Sequence, residues 1–375
     1  MDDHHTLNNE WTMKMNQHDT RDKEMNGSKS ASFTHFELHD TRDKEMNGSK
    51  SASFTHFELV GFPGLMDYKM VLFVGFLILL LITITANLLI LFLVSMDHRL
   101  HTPMYFFLCN LSLLDMLMAI SIIPKLLAVL SGYDNTISIA TCFGQMYFIM
   151  SIGSAENCLV AAMAYDRYIA VVKPLHYNVI INLKKCVVIT AIVWILGFII
   201  PAPSVFLAFG LPYCAAYKIM HCFCDYPAVL SLACADISVH ANGTFGAALF
   251  VNYVPLLFVL WTYVRIILSV LKLKSTASLA KAFSMCSSHM TVVLMYYVSA
   301  SVVYAGLKTD GLSPDGRIFI GGLNYFLMPM VNPMIYSLRN EKMKDATKKY
   351  IQFKALFPHN TKTSISTVEG DLPKS

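Results

Sequence analysis

Four ionisable side chains stand where charge is expensive. Asp115 and Glu156 fall mid-way through apolar runs of membrane length, and Asp166 with Arg167 closes the run from Cys142 to Val172. Acids at such depth face the bundle interior and mark ion or proton chemistry. The two carboxylates together would hold a sodium ion, with Asn87, Ser112 or Asn332 as further oxygen ligands, or would share one proton. A structural polar network binding helices together is the plainer alternative. Glu156 and Arg167 lie eleven residues apart, near three helical turns, and so share one face. The Asp166–Arg167 pair reads as a switch or as an anchor at the cytoplasmic rim. Nothing points to catalysis: no HExxH occurs, no Ser/His pair forces a nucleophile, and His289 reads as a packing or switch residue near the inner rim.

These groups require helices to carry them. The chain has 375 residues, 55% hydrophobic and only 14% charged, which is membrane-protein composition. A net charge of +4 says little about nucleic acid on this background, and no basic-aromatic interleaving suggests a nucleic-acid surface. Seven apolar segments, 69–95, 103–130, 142–171, 186–209, 240–271, 282–306 and 317–338, are each long enough to cross a bilayer. Basic residues crowd alternate loops: Arg99, then Arg167, Lys173, Lys184 and Lys185, then Arg265, Lys272, Lys274 and Lys281, then Arg339 to Lys349. The positive-inside rule therefore places the N-terminus outside and the C-terminus inside. The expected fold is an all-α membrane protein, a seven-transmembrane helix bundle. Span seven carries Asn332-Pro333-Met334-Ile335-Tyr336, where proline kinks the helix and Asn332 satisfies the freed carbonyls or reaches Asp115.

Residues 1–67 form a polar, extracellular tail without a cleavable leader, 68–338 the spanning domain, and 339–375 an amphipathic helix and cytoplasmic tail. In the tail, the 21 residues His18–Leu38 recur identically as His39–Leu59, a recent duplication or a gene-model artefact, expected to be disordered, with sequons at Asn26 and Asn47. The short eighth helix would lie on the inner leaflet through Met343, Ala346 and Tyr350. Thr361, Thr363, Ser364, Ser366 and Thr367 beyond it are phosphate acceptors or simply solvated. The loop between spans four and five holds Cys214, Cys222, Cys224 and Cys234 on the oxidising side, where a bridge to Cys142 would pin it over the bundle. Spacing leaves the connectivity open.

The stretches HTPMYFFLCNLSLLD (101–115), MAYDRYIAVVKPLHY (163–177), KAFSMCSSHMTVV (281–293) and NPMIYSLRN (332–340), with HCFCD…LAC (221–234), resemble the odorant receptors among rhodopsin-like G protein-coupled receptors. The likeness covers essentially everything from Phe54 onward, and the long duplicated N-terminus departs from the family's short one. The resemblance implies disulfides Cys142–Cys224 and Cys214–Cys234, with Cys222 an extra thiol. It implies that Asp166 holds Arg167, beside Tyr168, until activation, when Tyr263 and Tyr336 swing inward. It casts Asp115 and Glu156 as sodium-site acids, the one ion expected and no other cofactor. Tyr297 would occupy the switch position of span six, and Ile149 replaces the aspartate of amine receptors, which disfavours an amine ligand.

Helix faces then give a pocket: Ile149, Met150, Gly153 and Ser154 on span three, Ala247 and Val251 on span five, Tyr297, Ala300, Ser301 and Tyr304 on span six. A mostly apolar lining with a few hydroxyls suits a small organic ligand, although each residue also reads as ordinary helix packing. The resulting expectation is a multi-pass plasma-membrane odorant receptor, in olfactory cilia by resemblance, whose partners are an odorant, membrane lipid and a stimulatory heterotrimeric G protein that raises cyclic AMP. The rivals are a chemosensor outside the nose and an ion-coupled transporter. The transporter reading lacks the repeats between membrane halves that such folds carry.

Overall fold

The computed structural model describes residues 55–214, 217–272, 286–287, 289–298 and 313–356. The chain divides after Ser53 into two units, and the second, from Phe54, holds every described residue. Asn26, Asn47, the first repeat copy, Lys274, Lys281, Ala300, Ser301, Tyr304 and the Ser/Thr-rich tail lie outside the described residues.

The principal helices among the described residues are α1 (Lys69–Met96), α2 (Pro103–Ser131), α3 (Ile139–Val172), α4 (Leu183–Ile199), α5 (Ser238–Lys272), α6 (His289–Val298), α7 and α8 (Glu341–Leu356). Three stretches compose α7: Pro314–Gly322, a π-helical turn Leu323–Leu327, and Met328–Arg339. Among the described residues six helices are long and apolar enough to cross a membrane, and α6 is a shorter apolar piece of the sixth expected segment.

Local chemistry sets the boundaries. Pro103 opens α2, and Gly132 closes it at φ +75°, the left-handed conformation that glycine adopts without a Cβ clash. Ser138, Asn182 and Ser313 accept backbone N–H groups at the starts of α3, α4 and α7. The fourth expected segment breaks at Ile200-Pro201 and resumes as Ala202–Phe209. Pro201 supplies no N–H to the Gly197 carbonyl there, and separately the Tyr147 hydroxyl of α3 donates to the Phe198 carbonyl at 2.8 Å.

Helix α3 is the most buried of the long helices and packs against α2, α4 and α5, while α7 closes on α1 and α2. Helix α1 turns Val71, Val74, Ile78, Leu81, Leu88 and Phe92 outward, the surface a lipid-facing helix requires. At the α3–α4 crossing, a Cβ on Gly197 would stand 2.6 Å from the Ala155 Cβ and 3.0 Å from its backbone. Small residues let membrane helices approach this closely. Gly197→Ala therefore forces backbone apart and is expected to cost about 1–3 kcal/mol, read as a lower melting temperature of the detergent-solubilised protein.

The end of the bundle that carries the two disulfides, here the outer end, bears a three-stranded sheet. Its central strand β1 (His56–Leu59) pairs antiparallel with β2 (Thr136–Ser138) and parallel with β3 (Lys218–Ile219). Phe57 and Leu59 alternate inward and are fully buried, while His56 faces outward. This corrects the expectation of disorder through the whole duplication: the end of its second copy is ordered. The signal was present as alternation in a four-residue run, too short to register without its partners. Beyond it, Phe62 packs on Phe76 and Phe319 with ring centroids 5.7 and 5.0 Å away, and Gly64 N–H donates to Asp315 at 2.8 Å.

Candidate functional site

At the inner end, α3 delivers Asp166, Arg167 and Tyr168, all buried. Asp166 and Arg167 form no ion pair. The Asp166 Oδ1 instead accepts the Tyr177 hydroxyl at 2.7 Å, and one Arg167 guanidinium nitrogen, Nη2, is buried without a hydrogen-bond partner. Tyr177 takes the direct contact expected of Arg167, while the Arg167 charge still acts on the Asp166 carboxylate. Side chains adjacent on a helix diverge by about 100°, and Tyr177, in the turn after α3, meets the carboxylate first. Desolvation and the Asp166 charge both raise the pKa of that phenol.

Arg167 sits within electrostatic reach of Tyr263, Cys286, His289 and Tyr336. Tyr263 and His289 share a hydrogen bond of 2.6 Å, and the other His289 ring nitrogen lies 3.2 Å from the Val160 carbonyl. The motif-borne tyrosines of α5 and α7 are thus already buried around Arg167, with the Tyr336 hydroxyl unpartnered. Tyr105 of α2 donates to Asn340 at 2.9 Å, and Tyr350 of α8 to the Met96 carbonyl at 2.8 Å, beside the buried Met343 and Ala346. In the first inner loop Asp97 takes a bidentate contact from Arg99, whose hydrogen bond holds that carboxylate far below the usual range.

In the core, Asp115 accepts the Asn332 amide at 3.0 and 3.3 Å, and Glu156 lies close enough to interact electrostatically. Pro333 cannot donate to the Pro329 carbonyl, and Asn87 supplies that hydrogen bond at 3.0 Å. Of the two roles open to Asn332, it takes Asp115, and the carbonyl falls to Asn87. Oxygens of Glu156, Asn87 and Asn332 are buried without partners, and Ser112 is buried nearby on α2. An all-oxygen set with two acids fits a hard cation.

The outer loop is held by Cys142–Cys224 and Cys214–Cys234, separated by 82 and 20 residues. Cys222 is a buried free thiol. Gln145, unremarked in the sequence, accepts the Cys224 N–H at 3.0 Å and donates to the Ser121 carbonyl at 2.8 Å, clamping loop, α3 and α2. Burial raises the pKa of Cys222 and Asp225 and lowers that of His221, so the imidazole is held neutral. Lys125 binds Asp134 at 2.8 Å and, with Thr136, draws its pKa down to about 2.

For the expected pocket, Ile149, Ser154, Val251 and Tyr297 are buried, and Met150, Gly153 and Ala247 half-buried. A Cβ on Gly153 would meet nothing within 4 Å. One turn below, Asn157 reaches Tyr296 and Asn252, a contact the sequence gave no spacing signal for. A separate apolar groove, lined by Tyr147, Phe198, Pro203 and Phe206, opens elsewhere on α3 and involves none of these residues.

This architecture is that of the rhodopsin-like seven-helix bundle. Squid rhodopsin matches with a TM-score of 0.63 over 79% of this chain and 89% of its own, at 17% identity, a likeness of fold. The family model for olfactory receptors matches residues 76–354. Human olfactory receptor 10A6 is 40% identical over 291 residues, 78% of this chain and 92% of the relative. Human olfactory receptor 10A2 is 41% identical over 295 residues, 78% of this chain and 96% of the relative. The chain belongs to the olfactory receptor family and is a multi-pass protein of the plasma membrane.

Proposed function

We propose that a small organic odorant binds in the outer half of the bundle, among α3, α5 and α6, and that binding favours a state in which the inner end accepts a stimulatory heterotrimeric G protein. The observation that carries the coupling half is the buried, unpartnered Arg167 nitrogen framed by Tyr263, His289 and Tyr336. A carbonyl or carboxylate from a docking G protein completes that donor. The ligand shifts the equilibrium only by its differential affinity for the two states.

Asp115, Glu156, Asn87 and Asn332 would hold a sodium ion between α1, α2, α3 and α7, supplying positive charge that balances the two acids. The N-terminal tail to residue 67 lies outside the cell, on the oxidising side where disulfides persist. Residues 68–338 form the receptor domain and 339–375 the cytoplasmic part, in which α8 lies on the inner leaflet, its lysines toward anionic lipid. No nucleic-acid partner enters this reading.

The test is cyclic AMP in cells expressing the chain, exposed to a panel of small organic odorants, beside Gly153→Leu at matched surface level. A ligand-dependent rise is expected, with potency weakened at least tenfold when the leucine fills the open space, on the order of 1.4 kcal/mol. A response equal in both would move the pocket away from α3. Ion-dependent substrate uptake in place of any cyclic AMP signal would overturn the receptor reading.

A further inference from the structure

The polar contacts where α3, α5 and α6 meet point to the chemistry of the ligand, an inference that rests on the outer-pocket reading above. Asn157 is only 3% exposed. Its Nδ2 donates to the Tyr296 hydroxyl at 3.0 Å, the Gly153 carbonyl at 3.2 Å and the Asn252 Oδ1 at 3.4 Å. Asn252 directs its own Nδ2 to the Ala248 carbonyl at 2.7 Å, and its oxygen faces Asn157. A carbonyl and an amide oxygen accept only, so the Asn157 NH2 must face them and its Oδ1 must face away. That Oδ1 is buried and has no hydrogen-bond partner.

A buried acceptor without a donor carries its full desolvation penalty, and a donor brought to it recovers that penalty. The nearest open space lies one turn away: Gly153 is toward the outer end on the same face of α3, and among the described residues nothing stands within 4 Å of where its Cβ would be. Ile149 and Val251 make the neighbourhood apolar. The Ser154 hydroxyl proton is committed to the Met150 carbonyl at 2.8 Å, so it is not free to serve a ligand carbonyl.

We propose that Asn157 Oδ1 accepts the hydroxyl proton of the ligand, and that the chain selects small apolar alcohols or phenols. Aldehydes, ketones and ethers of the same skeleton bring no donor and leave the acceptor unpaired. Carboxylates bring no donor and a charge as well. A site built to pair a ligand hydroxyl discriminates by leaving its own group unsatisfied with the wrong ligand.

Binding is read without a G protein, as the thermal shift of the purified full-length receptor with a series of alkanols, cycloalkanols and phenols and their matching aldehydes and methyl ethers. Alcohols are expected to stabilise the receptor at roughly tenfold lower concentration than the ethers. Asn157→Leu is expected to erase that difference while the apolar skeletons still bind. The comparison of alcohol with ether on the unaltered receptor decides the matter even if that variant fails to fold. Equal binding of alcohols and ethers, or no alcohol binding at all, overturns the inference. Alcohol binding without a cyclic AMP response leaves it standing and removes the coupling reading. A cyclic AMP response to aldehydes with alcohols silent does the reverse.

Discussion

Cys142→Ser is expected to remove about nine-tenths of the receptor from the cell surface, from loss of a bridge whose chain-entropy contribution is on the order of 4 kcal/mol. The bridge spans 82 residues and joins the outer end of α3 to the loop before α5. The estimate is an upper one, because inserted helices constrain the unfolded chain more than water does. Both sulfurs are buried, so the bridge is shielded from mild reductants. Losing it also releases the Cys224 N–H from Gln145, and with it the tie between loop, α3 and α2. Surface labelling of intact cells gives the measurement. The double variant with Cys224→Ser should fare no worse than either single one, since one bond is lost in all three. Wild-type surface levels in Cys142→Ser would remove the bridge from the folding argument.

Arg167→Ala is expected to abolish ligand-stimulated cyclic AMP, a loss of at least about tenfold, while odorant binding at the outer end is retained. Three buried rings from α5, α6 and α7 lie within electrostatic reach of this guanidinium, and one of its nitrogens awaits an acceptor. Alanine deletes the donor. Arg167→Lys should rescue only in part, because an ammonium keeps the charge without the planar fork. Tyr177→Phe offers a gentler companion. It frees the Asp166 carboxylate to compete for Arg167, so the response should fall several-fold rather than vanish. An undiminished cyclic AMP rise in Arg167→Ala would separate this residue from coupling.

Much of this was legible in the chain because membrane insertion writes itself in composition. Long apolar runs gave six of the helices to within a few residues, and Cys142, Asp115 and Arg167 stood out by their chemistry within those runs. What was not legible is pairing across distance. Asn87 meets the Pro329 carbonyl 242 residues away, and Tyr177 takes the carboxylate expected to hold Arg167. Gln145 and Asn157 are unremarkable polar residues until loop and helices converge on them. No periodicity announces such contacts, since each depends on which carbonyl a proline has orphaned or which side chain arrives first. Strand β1 was missed for a related reason: four alternating residues become a strand only when two other loops supply its edges.

That strand bears on the history of the chain. The two repeat copies are identical through Leu38 and Leu59, and β1 is the end of whichever copy adjoins Val60. A tandem duplication upstream of Val60 therefore leaves both the strand and its junction unaltered. Such an event passes selection on the sheet unnoticed. The downstream THFEL remains under constraint from Phe57 and Leu59, whereas the upstream THFEL is relieved of it and free to drift. Perfect identity between the copies then dates the duplication as recent relative to the pace of that drift.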